Sequence, residues 1–500
     1  MELKRWVVGV IFGVELLVGA TSPSVEKLIG QCWNENRLAC QQIPQQKLEE
    51  LEKGCQKGDI KSCVVGARGL AEQGRVEEVV EFLKGLCEGG NGLGCAVLSD
   101  LYWFGDGVKR DIAKVVEYSK KGCELGSRYG CGNLGILFEH GIGVKRDLKK
   151  AFSLLSKGCQ QGWEPACVGV GSIYYDREDY RKALSLSRKS CELGMGEGCT
   201  FVALLYNYGL GVPKDYNKAL QFIKRAIDLG RPDGYAMLGI NYQYGEGVPK
   251  DLKMAKRLYL QSCKMGGGEG CNLLGELYFR EYLRERNPLN LKKAMESYQK
   301  GCEALSGSAC ENLGEIYYYG KGVPKDLRKA TALFEKACEL GDKWGCQMAA
   351  IIYEKNDNIE KGKEYFERSC NLGIGNGCSN VGSYYDFHRR DYSKAVKYFK
   401  KGCKLGDEWG CEKVGDFYRI GRGVPKNLQK AEEYYRKAVK YSKERCALGN
   451  GWGCEEVGDF YFIGRGVPKN LQKAAEYYKK ACEKGEKRGC KKLKKITSQL

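Results

Sequence analysis

Apolar residues along this chain recur at i, i+3, i+4 and i+7, in short blocks repeated many times. Cys310, Leu313, Gly314 and Tyr317 form one such face, which is the spacing of an amphipathic helix. Cys271, Leu274, Gly275 and Tyr278 repeat it, as do Cys454, Val457, Gly458 and Tyr461. A polar, glycine-rich stretch follows each block, as in Gly320 to Lys325. Asp326 behind it reads as the N-cap of a second helix. That helix turns Ala330, Leu333, Phe334, Ala337 and Cys338 inward. Glycine inside a helix costs about 1 kcal/mol against Ala, so its recurrence predicts close approach between neighbouring helices.

The helix pair returns every 36 residues or near it, as Cys87, Cys123 and Cys159 show. A period in that range is the mark of a solenoid. The expected fold is therefore all-α, an α/α solenoid or superhelix of about fourteen helix-pair repeats. One repeat carries Ile227 and Tyr235 where the others carry cysteines. Intervals of 32, from Cys159 to Cys191 and from Cys338 to Cys370, lack the Gly-Val-Pro loop. Arg280 to Asn290 reads as a small loop insertion. The interval from Cys403 to Cys446 is seven residues longer than 36. Seven residues is about two helical turns, so the cysteine returns to the same face.

The 26 cysteines are out of range for a cytosolic enzyme. All fall into pairs eight positions apart: Cys32/Cys40, Cys55/Cys63, Cys87/Cys95, Cys123/Cys131, Cys159/Cys167, Cys191/Cys199 and Cys263/Cys271. The series continues with Cys302/Cys310, Cys338/Cys346, Cys370/Cys378, Cys403/Cys411, Cys446/Cys454 and Cys482/Cys490. On one continuous helix such cysteines would be about 12 Å apart, too far for a disulfide. A turn must lie between them, and Gly341 suits a left-handed residue just past a helix end. We read thirteen disulfides, each stapling the end of one helix to the start of the next. Zinc is the alternative, but thiolate zinc sites use closer spacing. No metal or cofactor is expected.

Lys4 and Arg5 precede an apolar run from Trp6 to Ala20 that is short for a membrane span. Residues 1–20 read as a signal peptide ending in Val18-Gly19-Ala20; Glu15 keeps an uncleaved anchor open as the alternative. Residues 21–54 are expected to hold an N-terminal segment and a truncated capping repeat. Residues 55–490 are the solenoid, and 491–500 a basic tail. The protein is expected to be secreted or periplasmic, with no membrane span in its mature part.

Three elements combine in one unit: Leu-Gly-x-x-Tyr, the loop Gly-x-Gly-Val-Pro-Lys-Asp, and Lys-Ala-x-x-Tyr-Tyr-x-Lys-Ala-Cys. Together they closely resemble the Sel1-like repeat, a relative of the tetratricopeptide repeat. With Cys-x7-Cys in each unit, the chain resembles the secreted Helicobacter cysteine-rich proteins over about residues 30–490. That resemblance implies a disulfide-stapled superhelix. It also implies penicillin binding or weak β-lactamase activity, or a secreted effector role toward host cells.

The residues themselves carry little catalytic signal. Ser-x-x-Lys occurs at Ser24/Lys27 and at Ser297/Lys300, about the number chance supplies. Neither Ser-Asp-Asn nor Lys-Thr-Gly, its partners in a serine β-lactamase, occurs. Ser297 aligns with Leu333 of the next unit and reads as a small core residue. Only two histidines exist, His140 and His388, both expected in loops, which opposes a multi-histidine zinc site. The catalytic residues stay unassigned. Net charge is +19, and residues 421–500 hold 20 basic against 9 acidic residues. Such a chain is attracted to anionic surfaces; export opposes nucleic acid as the partner. The function expected from the residues is a binding or scaffold solenoid. Its groove would take peptidoglycan fragments, β-lactams, peptides or host proteins.

Overall fold

The computed structural model describes residues 25–34, 37–105, 108–160 and 164–497. The expected signal segment, residues 1–20, and Ser24 lie outside these residues. The described chain is an α/α solenoid of paired helices running from Val25–Trp33 to Lys487–Thr497, without a strand among the described residues. Packing divides it into two compact units, one ending at Ala309 and one starting at Cys310. No described helix is long and apolar enough to cross a membrane.

Most helices span 13 residues. Their ends follow from local chemistry. Asp326 caps Leu327–Glu339 by accepting the Lys329 amide, filling one of the bonds a helix start leaves open. At the other end Gly341 adopts φ +83°, a left-handed turn that glycine takes without a Cβ clash. The next helix, Lys343–Lys355, then starts under its own cap, Asp342. The turn brings Cys338 and Cys346 to a Cα separation of 4.4 Å, bridged by a disulfide.

Bridges of the same kind recur through both units. In the first they join Cys32 to Cys40, Cys55 to Cys63, Cys87 to Cys95 and Cys123 to Cys131. They also join Cys159 to Cys167, Cys191 to Cys199 and Cys263 to Cys271. In the second they join Cys370 to Cys378, Cys403 to Cys411, Cys446 to Cys454 and Cys482 to Cys490. No cysteine is free among the described residues. A bridged sulfur has no thiolate to offer a metal or a substrate.

The core is built by one recurring contact. The mid-helix glycine of the first helix receives the ring of the second. A Cβ on Gly314 would lie 2.8 Å from the Phe334 ring, and one on Gly415 2.5 Å from Tyr435. Both rings are buried. This contact explains why the repeat accepts a helix-weakening residue at its centre. In the unit that carries Ile227 and Tyr235, Gly239 packs on Tyr259 in the same way.

Two length variants behave differently. The expected loop at Arg280–Asn290 is largely helix: Gly268–Glu285 runs 18 residues before Arg286 turns left-handed and Asn287 caps Pro288–Glu303. The segment Arg-Glu-Tyr-Leu-Arg-Glu contains no helix breaker, and Arg280 pairs with Glu276 one turn back at 3.0 Å. The seven extra residues before Cys446 extend the helix Leu428–Ala447 to 20 residues. Its effect reaches the next repeat. Gly423 abuts Tyr392, the first residue of its neighbouring helix, whereas Gly466 abuts Tyr435, the eighth. The final repeat is therefore set back by two turns, about 10 Å.

Candidate functional site

Within the first unit, the outer faces of several first helices line two adjoining cavities of about 450 and 250 Å³. Arg68, Trp103, Phe104 and Arg231 border both. Their positions follow from the repeat. Arg68 lies five residues past Cys63, while Trp103 and Phe104 lie eight and nine past Cys95. Trp103 stands one turn past Ser99, so the two share a helix face, and both border the smaller cavity. The facing wall is made of turns between helices, at Arg231–Asp233, Gly266–Glu269 and Ala304–Ser308. Arg231 belongs to the one repeat with Ile227 and Tyr235 in place of cysteines.

The cleft mixes aromatic faces with charge of both signs. The Arg68 guanidinium lies over the Phe104 ring at 5.1 Å, a cation–π contact. Its Nη1 also donates to the Cys32 carbonyl at 3.5 Å. Arg231 Nε donates to Asp233 Oδ2 at 2.8 Å, with its side chain 14% exposed. Asp100 accepts from Asn133 Nδ2 at 2.8 Å and from the Tyr129 hydroxyl. Glu72 borders one cavity and Glu197 the other. The N-terminal helix closes one end. Trp33 donates to Met195 Sδ at 3.0 Å, and the Gly196 amide donates to Asn34 Oδ1 at 2.8 Å. The lining thus combines apolar ring faces with guanidinium and carboxylate groups. Ser99, on the wall of the smaller cavity, is bonded to Ser119 and to the Val115 carbonyl.

The residues singled out from sequence lie elsewhere. Ser297 is buried and donates to the Lys293 carbonyl of its own helix at 2.7 Å; Lys300 is exposed. The Ser297 hydroxyl is thus committed to its own helix backbone. His140, expected in a loop, is instead the exposed last residue of helix Arg128–His140. His388 is exposed beside Tyr384. The cysteines act as staples and not as site residues. Cys40 touches the larger cavity, whereas Cys131, Cys167, Cys199, Cys378, Cys411 and Cys490 sit in their bridges and border neither cavity. Their sequence prominence reflects the turns they close. Among the described residues, no cluster of His, Cys, Asp and Glu is arranged to hold a metal. The cleft residues were not legible beforehand. No local signal marks them, since the positions of Trp103 and Phe104 hold Tyr318-Tyr319 and Phe462-Ile463 in other repeats.

Helix pairs of near-constant length, a recurring glycine–ring contact and bridged turns define a disulfide-stapled helical repeat protein. The chain belongs to the Sel1 repeat family. That family's model, described as Sel1 repeat, matches ten segments: residues 92–127, 129–163, 165–195, 196–230, 232–267, 307–342, 353–374, 377–407, 410–440 and 453–486. Among solved structures, it is similar to a protective antigen present in uropathogenic Escherichia coli strains displaying an SLR fold. The two are 23% identical over 84% of this chain and 91% of that one, with a TM-score of 0.45. It is also similar to Helicobacter pylori cysteine rich protein B, 32% identical over 27% of this chain and 95% of that one, with a TM-score of 0.21. Among curated proteins, it is 46% identical to cytochrome c oxidase assembly factor 7A of Xenopus laevis over 43 residues. That match spans only 19% of the assembly factor and 9% of this chain.

Proposed function

We propose that this protein is an extracytoplasmic binding scaffold whose first unit holds a peptide-bearing ligand in the cleft around Arg68, Trp103, Phe104 and Arg231. Sel1 repeat proteins mediate protein–protein interactions, which supports a binding role. The observation that carries this reading is that two guanidinium groups and two aromatic side chains border the same two adjoining cavities. Guanidinium groups recognise carboxylates by paired hydrogen bonds, and aromatic rings bury apolar groups at little entropic cost. A muramyl peptide combines a sugar ring, apolar side chains and a terminal carboxylate, so cell-wall fragments fit this chemistry. Peptide segments of host proteins share the carboxylate and apolar elements. The many disulfides suit an oxidising compartment, in keeping with secretion or a periplasmic location.

The test is calorimetric titration of the oxidised protein with muramyl dipeptide and with a free acidic peptide. Saturable binding that falls at least tenfold in Arg68→Gln and Trp103→Ala supports the reading. No binding of either compound, or binding indifferent to both substitutions, refutes it.

A further inference from the structure

A second surface has its own chemistry and does not rest on the cleft. The residue nine positions past the second cysteine ends the first helix of most repeats. It is exposed and apolar at Tyr208, Tyr244, Tyr319, Phe387, Ile420 and Ile463. In the second unit, two of these ends lie side by side. The loop after Ile420 packs on the loop after Phe387: Gly423 abuts Tyr392, and Arg422 lies 4.0 Å from the centre of the Tyr392 ring. Phe387 is 66%, Ile420 61% and Leu428 62% exposed. The final repeat, set back behind them, leaves this front clear.

The Ile420 loop is basic, while Asp391 in the Phe387 loop is paired with Lys394 at 3.1 Å. Residues 419–428 contain Arg419, Arg422 and Lys426 and no acid. Arg422 is held by Asp386 at 3.0 Å, and Arg419 leans back on Asp416 at 3.5 Å. Arg390, Arg419 and Lys426 are exposed. Asn427 caps the helix behind the Ile420 loop, as Asn287 and Asn358 cap helices of earlier repeats. Asn caps as well as Asp and adds no negative charge there, whereas Asp391 caps the neighbouring helix Tyr392–Lys404.

We propose that this edge docks on an anionic lipid surface, with Phe387, Ile420 and Leu428 entering the interface and Arg390, Arg419 and Lys426 engaging phosphate headgroups. Exposed apolar side chains ringed by Lys and Arg are the chemistry of interfacial membrane binding. A polyanionic glycan would satisfy the cations but leave three large apolar groups in water. An acidic protein is the competing occupant, and the test separates it from lipid.

The experiment is co-sedimentation of the oxidised full chain with vesicles of phosphatidylcholine alone, or mixed in equal parts with phosphatidylglycerol. Binding only to the anionic vesicles is expected. Each basic residue against such a surface contributes about fivefold in partition, so Arg390→Gln with Lys426→Gln should weaken binding about 25-fold. Lys149→Gln with Lys150→Gln removes the same charge from an exposed site in the first unit and should leave binding unchanged. Phe387→Ser with Ile420→Ser should weaken binding and abolish the part that survives high salt. Failure to bind anionic vesicles overturns the proposal and leaves an acidic protein as the occupant. Equal loss in both charge pairs overturns it too, because attraction would then follow net charge alone. So does full binding by the apolar pair, since no side chain would then enter the lipid.

Discussion

Gly275 and Gly85 separate the two roles a helix glycine can play. Both lie inside helices of the first unit. A Cβ on Gly275 would sit 2.6, 2.7 and 3.0 Å from Tyr298 ring carbons, and Tyr298 is 2% exposed. A Cβ on Gly85 would meet nothing within 4 Å. Alanine gains about 1 kcal/mol of helix propensity at either position. At Gly85 that gain stands alone, so Gly85→Ala should stabilise by about 0.5–1 kcal/mol. At Gly275 the new methyl would press on a buried ring, and overpacking costs about 1–3 kcal/mol. A ring forced out would also forfeit its burial, worth about 2 kcal/mol. Gly275→Ala should therefore destabilise by about 1–2 kcal/mol net. Urea unfolding of the oxidised protein, followed by circular dichroism, reads both variants. Equal shifts of the same sign would refute the claim that glycine–ring contacts build this core.

Three further outcomes follow from local chemistry. Glu139 is 2% exposed, and burial pushes its carboxyl up to about 7. An acid raised on folding holds its proton more tightly in the native state, so its contribution is full below about pH 4.5. That contribution, about 3 kcal/mol at most, is lost as pH rises through 7. Glu139→Gln should stabilise at pH 8 relative to pH 4, compared with the parent by thermal unfolding; an unchanged difference contradicts this. Asp326→Ala removes the cap on the Lys329 amide and should cost about 1 kcal/mol, measurable by the same unfolding assay; no loss would contradict the capping role. Reduction should open loops whose closure contributes about 2–3 kcal/mol each in the unfolded chain. Limited proteolysis should then cut the reduced protein at turns such as Leu340–Asp342 that resist in the oxidised one.

The helical repeat was open to sequence reading because each unit restates its own rules. Asp326 as cap, Gly341 as turn and Gly314 as a point of close approach are all decisions made within 40 residues of chain. The Arg280–Asn290 insertion misled because a change in spacing does not say whether the extra residues are loop or helix. There, the helix-forming side chains and the Glu276–Arg280 pair decided for helix. The cleft was out of reach for a different reason. Arg68 and Arg231 are more than 160 positions apart and each obeys its local pattern. Nothing in either repeat says that a turn from one faces the helix of the other. The set-back of the last repeat was half visible. Two added turns kept Cys446 on its face, but the displacement they impose appears only where Gly466 meets Tyr435.

The cleft of the first unit is proposed to bind its ligand and leave it chemically unchanged. The most direct measurement is hydrogen exchange by mass spectrometry, with intact-mass analysis in parallel, on the oxidised protein saturated with muramyl dipeptide or with a labelled penicillin. Slowed exchange is expected in peptides covering Arg68, Trp103–Phe104 and Arg231–Asp233, with an unchanged intact mass. Protection confined to other repeats, or a covalent adduct on a serine, would contradict it.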